Sequence, residues 1–221
     1  MGMTLKLVIG NKNYSSWSMR PWLAMRANDI AFEEIFIPLY TDNKADKDRI
    51  LSFARSGKVP ILIDGDVTVW DSLAIIEYVA ERFQQAKLWP EDRAERAHAR
   101  AISAEMHSGF LPLRNECGMN LRRPVRPVAL SEDARGNIAR VQGIWADCRA
   151  RYGKRGPFLF GAFGAADAMY APVVHRFRTY AIPVAGDVKA YMETMMAFPP
   201  FREWTDAGLA ETLVIEKFED V

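Results

Sequence analysis

Cysteine is scarce in this sequence, because Cys117 and Cys148 are the only two among 221 residues. They lie 31 positions apart, so they cannot form a Cys-x-x-Cys redox pair. Two thiols alone also fall short of the four ligands of a structural zinc site, and we expect no metal. Without a disulfide framework, a reducing compartment is the simpler expectation.

An excess of charge of one sign is missing as well. Lysine and arginine number 29, aspartate and glutamate 28, and the formal net charge is +1. A protein that binds nucleic acid by neutralising phosphates needs a basic surface, so we expect no nucleic-acid partner.

Long hydrophobic runs are absent too. No stretch approaches the roughly 18 apolar residues of a membrane-spanning helix. The first ten residues, MGMTLKLVIG, contain one lysine and no cleavage-site pattern, so they predict a first strand rather than a signal peptide. We expect a cytoplasmic protein that does not bind a membrane. Hydrophobic residues still make up 49% of the chain, which suits a globular protein.

Strand and helix patterns alternate over the first 84 residues. The order of elements is βαβ, then a helix, then ββα, with an Asp-Gly hairpin turn at residues 64–65. The predicted elements are a strand at Leu5–Ile9, a helix from near Ser18, an extended segment at Phe32–Leu39, a helix at Asp42–Ala54, strands at Val59–Ile63 and Val67–Trp70, and a helix from Asp71-Ser72.

Helical patterns dominate from Arg93 onward. We therefore predict an α/β domain over residues 1–84, a linker over 85–90 and an all-helical domain over 91–221. The predicted helices are Arg93–Asn115 with an interruption near Pro112, a helix capped by Ser131 that runs to Tyr152, Ala165–Thr179, and Asp187–Ala197, which ends before Pro199-Pro200.

Polar groups at three junctions of the α/β domain fit one task. Serines at positions 15, 16 and 18 precede the first helix, Val59-Pro60 precedes a strand, and Asp71-Ser72 begins a helix. Helix N-termini attract anions, and a hydroxyl there can stabilise a thiolate. Taken singly, each junction also has a plainer interpretation: the serines at the two helix starts are N-caps, and a proline is allowed at the first residue of a strand.

In order and spacing, these junctions resemble the soluble glutathione S-transferase superfamily, whose first domain is thioredoxin-like. The resemblance covers essentially the whole chain, and SSWSMR at residues 15–20 is similar to the serine-type zeta class and, to a lesser extent, to tau. It rests on Ser15–Arg20, Val59-Pro60, Asp71–Tyr78, the linker-like Trp89–Ala94 and the capping segment Phe158–Asp167.

The resemblance implies a role for each residue of the three junctions. Ser15 would stabilise the glutathione thiolate, with Ser16 as a secondary donor. Val59 would pair with the cysteinyl backbone through a cis Pro60. Two further roles follow in the same way. Asp71 and Ser72 would hold the γ-glutamyl head, and Lys58, with Lys44 or Lys47, would face the glycyl carboxylate.

Two positions depart from the family pattern. Trp17 stands where the zeta class has a cysteine, which argues against the zeta isomerase reaction, and Gly164 stands where the capping segment usually has serine or threonine. The electrophile would bind between the domains. Its candidate residues are Trp17, Phe110, Arg114, Met119 and Arg122, with His107, Arg176 and Arg178 nearby as residues that are more often structural or solvated.

The resemblance therefore predicts a homodimeric, detoxifying transferase that uses glutathione as co-substrate and attacks a small electrophile. A maleylacetoacetate-type isomerase or a dehalogenase on the same scaffold is the alternative. A non-catalytic interaction module is the second alternative, and the presence of Ser15, Val59-Pro60 and Asp71-Ser72 argues against it.

Overall fold

A computed structural model describes residues 4–219. Its sheet has four strands in the order β2-β1-β3-β4, and β1 runs parallel to β2 while the other neighbours are antiparallel. The strands are β1 (Leu5–Ile9), β2 (Phe32–Phe36), β3 (Ile61–Asp64) and β4 (Val67–Trp70).

The central strand β1 is covered on both faces. Leu7 and Ile9 belong to the main core, whereas Val8, which points to the opposite face, packs with Ile50 and Ile61 in a second cluster. This alternation follows from the period of two along a strand. All three strand residues are fully buried, and Lys6 is the exposed residue of β1.

Three helices accompany the sheet: α1 (Ser16–Arg26), α2 (Lys44–Phe53) and α3 (Ser72–Arg82). Helices α1 and α3 pack against each other and contribute to the main core, while Ile50 of α2 joins the second cluster. The sheet is therefore sandwiched between helices, as the thioredoxin-like pattern requires.

The helical part follows from residue 93, and its centre is α7, which packs against both α1 and α4. Fourteen of the fifteen residues of α7 are buried, which explains why its sequence shows little amphipathic pattern. The six helices are α4 (Arg93–Ser108), α5 (Leu111–Glu116), α6 (Glu132–Tyr152), α7 (Ala165–Thr179), α8 (Gly186–Ala197) and α9 (Pro199–Ala210).

Two differences from the sequence prediction concern helix ends. The predicted helix Arg93–Asn115 is two helices, because the chain leaves α4 at Gly109 and Phe110 adopts a left-handed conformation with φ +60°. The prediction also missed α9. Pro199-Pro200 does follow the end of α8, but these prolines occupy the first turn of a new helix, where a missing N–H costs nothing.

The N-terminus of α7 explains why the capping segment has glycine. A Cβ atom on Gly164 would lie 2.9 Å from the carbonyl oxygen of Leu88, and Ala165 N donates to that same oxygen at 2.8 Å. The cap is therefore made by Asp167, whose carboxylate accepts from Leu159 N at 3.0 Å and Gly164 N at 2.9 Å. Burial raises the pKa of Asp167 to about 6, so the group is mostly ionised at neutral pH.

Within residues 4–219, none of the helices combines the length and the apolar character needed to cross a membrane. The domain boundaries at residues 84 and 91 stay a prediction.

We expect Asp167→Asn to destabilise the protein by about 1–3 kcal/mol, because one of two buried N–H groups would then face an amide donor. Urea unfolding at neutral pH measures the change. Asp187→Asn, at an exposed site in the first turn of α8, is the control and should alter the free energy of unfolding little. Equal losses for the two variants would show that the Asp167 cap contributes no special stability.

Candidate active site

A cavity of about 550 Å³ lies where the sheet-containing part meets α4 and α5. The N-terminal ends of α1 and α3, the segment before β3 and the end of β4 form one side of it, and α4 and α5 form the other. The lining residues are Trp17, Ser56, Lys58, Val59, Pro60, Trp70, Asp71, Ser72, His107 and Arg114. Residues that are distant in sequence, including most of the predicted glutathione-binding set, thus share one cavity.

The serine loop supplies the N-cap of α1. Ser15 Oγ accepts from Ser18 N at 3.3 Å and donates to Ser18 Oγ at 2.8 Å, while Ser18 Oγ accepts from Gly10 N at 3.2 Å. Ser15 and Ser16 are both buried, and their neighbour Trp17 is the residue of this loop that lines the cavity. The capping interpretation of Ser15 is therefore correct, and any role toward a ligand comes in addition to it.

The Val59–Pro60 peptide bond is cis, and β3 begins directly after it at Ile61. Lys58, Val59 and Pro60 all line the cavity, whereas Lys44 and Lys47, on α2, are not among its lining residues.

Asp71, not Ser72, caps α3. Asp71 Oδ1 accepts from Leu73 N at 2.9 Å and from Ala74 N at 3.3 Å, so the prediction of Ser72 as the cap is wrong. The cap places Asp71 at φ +79°, a conformation that costs a non-glycine residue roughly 1–3 kcal/mol and is typical of functional sites. The buried Ser72 Oγ has no hydrogen-bond partner in the described chain, and Ser72 lines the cavity.

His107 closes the cavity from the helical part. Its Nε2 lies 3.2 Å from Asp71 Oδ2, the oxygen that does not cap α3. Its ring meets the ring of Trp17 edge-on at a centroid distance of 5.3 Å. From the sequence, His107 was expected near the electrophile site as a structural or solvated residue, without a role toward the ligand. A weak signal was available, since His107 follows Ser103 by four positions on a helix whose buried face includes Ser103.

Unpaired positive charge surrounds Trp17. The guanidinium groups of Arg20 and Arg114 lie 4.2 Å and 4.5 Å from the centre of its ring. Arg20 is buried, and its Nε and Nη1 have no hydrogen-bond partner within residues 4–219. Burial, reinforced by the charges of Arg114 and Arg176, lowers the pKa of Arg20 to about 9, against the opposing effect of Asp71.

Arg176 extends this cluster into the core. It donates to the carbonyl oxygens of Arg114 at 3.2 Å and of Cys117. Burial, together with Arg114, lowers the pKa of Arg176 to about 10. Among the described residues neither Arg20 nor Arg176 forms an ion pair, and buried cations of this kind favour an anion nearby, so the side of the cavity lined by Arg114 suits a negatively charged ligand.

Three predicted electrophile-site residues do not line the cavity. Phe110 begins α5 and is buried in the main core together with Met119. Arg122 faces away, toward the end of the chain, where it donates to Tyr14 Oη at 2.8 Å and to the carbonyl of Leu213 at 2.8 Å. Trp17 and Arg114 are the members of the predicted set that line the cavity, and Arg178 is exposed elsewhere on α7.

Neither cysteine is suited to act as a nucleophile. Burial raises the pKa of Cys117 to about 11 and that of Cys148 to about 12, and both thiols lie outside the cavity lining. The described residues also contain no group of three or more His, Cys, Asp or Glu side chains that could hold a metal ion.

Two protein-family models match the chain. One is described as the glutathione S-transferase N-terminal domain and matches residues 14–82, and the other is described as the C-terminal domain of that family and matches residues 127–207. The matches follow the family's order and together cover more than half of the chain.

Curated relatives align over part of the sequence. The chain is 37% identical over 102 residues to a probable maleylacetoacetate isomerase of Caenorhabditis elegans, which is 46% of each chain. It is 35% identical over 84 residues to a dichloromethane dehalogenase of Methylophilus leisingeri, which is 38% of this chain and 30% of that relative. The chain thus spans about half or less of the length of these two relatives.

The fold has solved counterparts. A glutathione transferase homolog from Burkholderia GL BGR1, with bound glutathione, aligns with a TM-score of 0.69 at 23% identity and covers 95% of this chain and 100% of its own. This likeness confirms the predicted fold, a thioredoxin-like sheet domain followed by a helical domain.

We expect Arg20→Met to leave the free energy of unfolding within about 1 kcal/mol of the wild type or to increase it, because a buried unpaired charge is replaced by an apolar side chain. Urea unfolding at low salt tests this. Arg26→Met, on the exposed end of α1, is the control and removes a surface ion pair with Glu203 worth at most about 1 kcal/mol. A loss of about 3–5 kcal/mol in Arg20→Met would instead indicate a buried partner charge.

Proposed function

Because the chain belongs to the glutathione S-transferase family, we propose that it binds glutathione in this cavity and activates the thiol for attack on a small electrophile. The observation that carries the proposal is that Asp71, Ser72, Val59 and the positively charged Arg114 line a single cavity. Each group complements one part of a small anionic peptide. The glutathione bound in the Burkholderia homolog of the same fold supports the assignment.

Asp71 and Ser72 suit the γ-glutamyl head. The α3 N-terminus attracts the carboxylate, and the unpartnered Ser72 hydroxyl can donate to it. A carboxylate oxygen can accept more than one hydrogen bond, so Asp71 Oδ2 can receive an ammonium group beside His107. The Val59 backbone would pair with the cysteinyl residue, and Lys58 would face the glycyl carboxylate.

Activation of the thiol depends on its pKa. A free cysteine-type thiol has a pKa of about 8.5, and only the thiolate is strongly nucleophilic. The α1 N-terminus and the positive charge of Arg114 and Arg20 favour the anion. Ser15 and Ser16 are the proposed hydroxyl donors, and the Ser15 proton, which goes to Ser18 Oγ in this structure, would turn toward the thiolate when glutathione binds. The thiolate sulfur would then form a bond to the electrophilic carbon, and the leaving group would depart with its electron pair.

Replacing Ser15 tests the activation step. We expect Ser15→Ala to raise the apparent pKa of the bound glutathione thiol by about one unit, equivalent to about 1.4 kcal/mol, because a donor to the thiolate is lost. Thiolate absorbance followed against pH measures it.

Ser15→Gly is the matched control for stability, because glycine replaces a serine N-cap at a cost of only a few tenths of a kcal/mol. Both variants should raise the thiol pKa alike if the hydroxyl matters. An unchanged pKa in both would transfer the role to Ser16 or Ser18.

The positive charge of Arg114 and Arg20 favours an acidic electrophile. Arg114 lines the cavity directly, and Arg20 lies behind Trp17. The alternative activities, a maleylacetoacetate-type isomerase and a dehalogenase, carry the names of the two curated relatives. Trp17 fills the position of the zeta-class cysteine, which favours transfer over isomerisation.

Substrate preference can be measured with a carboxylate-bearing electrophile and a neutral aryl halide. We expect Arg114→Met to lower kcat/KM for the acidic electrophile by about tenfold or more, since a hydrogen bond to a charged group contributes about 1.5–3 kcal/mol. The neutral substrate should change little. Arg178→Met, on the exposed side of α7, is the control, and equal losses on both substrates would remove the acidic-electrophile assignment. Testing maleylacetoacetate and dichloromethane alongside separates the alternatives.

The remaining properties of the proposed enzyme are a cytoplasmic location and a homodimeric state. If calorimetry showed no glutathione binding, a non-catalytic interaction module would become the better assignment.

A further inference from the structure

The loop that leads into α1 is held by the far end of the chain. Residues 11–14, here called the approach loop, connect β1 to the N-cap Ser15. Residues 211–219, here called the C-terminal strap, follow α9 and lie against this loop. No strap residue is among the lining residues of the cavity, so the strap acts on the loop from outside.

Glu211 binds the approach loop through its backbone. Its Oε1 accepts from Lys12 N at 2.5 Å and its Oε2 from Asn13 N at 3.1 Å. Two successive N–H groups are thereby satisfied by one carboxylate almost 200 residues away in sequence. From the same direction, Trp204 Nε1 donates to the Lys12 carbonyl at 3.1 Å. Hydrogen bonds to a charged acceptor are about twice as strong as neutral ones, which makes Glu211 the dominant contact.

Arg122 joins the strap to the last residue of the loop. It donates to the carbonyl of Glu211 at 2.5 Å and to Tyr14 Oη at 2.8 Å. Tyr14 Oη also accepts from Ile215 N at 3.2 Å and donates to Glu219. Tyr14 directly precedes Ser15, so these bonds fix the residue from which the helix cap begins.

We propose that Glu211 and Arg122 are positioning residues, which hold the N-terminus of α1 at the distance from the cavity that thiol activation requires. The inference rests on the proposed glutathione-dependent function. Within the approach loop itself, Asn11 provides the local support, because its carbonyl accepts from Tyr14 N and Ser15 N. Residues 120–122 also hold the loop, because Asn13 Nδ2 donates to Asn120 Oδ1 at 3.1 Å and Asn13 Oδ1 accepts from Arg122 N at 3.1 Å. The strap adds the carboxylate contact of Glu211 to Lys12 N and Asn13 N and the contacts to Tyr14 Oη.

The geometry separates activation from binding. Val59 precedes β3, Asp71 caps α3 and Ser72 begins it, and within the described chain the strap's hydrogen bonds to the approach loop do not involve these residues. Loosening the loop should therefore weaken stabilisation of the thiolate and leave recognition of the peptide intact. This is a split that a general loss of stability would not produce.

The test uses the full chain with Glu211→Ala, and with Glu216→Ala as the control at an exposed strap residue. We expect Glu211→Ala to raise the apparent thiol pKa of bound glutathione by about one unit and to lower kcat at neutral pH by about tenfold. Affinity for S-methylglutathione, which has no ionisable thiol, should stay within about twofold of the wild type. Glu216→Ala should match the wild type throughout.

Conservative variants keep the test decisive if Glu211→Ala does not fold. Glu211→Gln retains one acceptor oxygen, and Arg122→Lys retains the charge, so both should show smaller pKa increases in the same direction. An unchanged thiol pKa with a lowered melting temperature would overturn the positioning role and leave the strap purely structural. Failure of the wild type itself to bind glutathione would overturn the proposed function and this inference together.

Discussion

Burial of α1 between the sheet and the helical part is the constraint on which the rest of the structure depends. The helix packs against α3 on one side and α7 on the other, and every residue from Ser18 to Met25 is buried. A helix enclosed in this way cannot shift along its axis without disturbing two cores. Burial therefore fixes the body of α1 relative to both sides of the cavity, while the approach loop holds its N-terminus, where Trp17 and the serines lie.

This enclosure also accounts for the charge distribution. Arg20 lies deep on α1, its guanidinium forms no ion pair within residues 4–219, and it packs against Trp17. The chain as a whole is nearly neutral, with a formal net charge of +1, yet positive charge is concentrated at this place. Overall composition therefore argues against a polyanionic partner but carries no information about the electrostatic field inside the cavity. The electrostatic field in the cavity depends on how deeply charged side chains such as Arg20 are buried, and composition gives no information about burial.

Local patterns in the sequence predicted the order of elements in the sheet-containing part and the residues on one side of the cavity, while the resemblance to a family supplied the thioredoxin-like fold. Alternating strand and helix signals predicted the βαβ, helix, ββα order, and Val59 and Asp71 lie at element ends that such signals mark well. The opposite wall was harder to predict, because His107 reaches Asp71 across a domain contact that no spacing along the chain encodes. Arg122 was misplaced for the same reason, since only the three-dimensional path of residues 211–219 explains its direction.

Glycine at position 164 has a consequence for how the two halves of the molecule are joined. The space for its missing side chain is taken by the carbonyl of Leu88, in the segment between the sheet and α4. Restoring the hydroxyl-bearing residue typical of the family would therefore push on the connecting segment rather than simply add a helix cap. Residues 88 and 164 are in close backbone contact, so a substitution at either position must be designed together with the other.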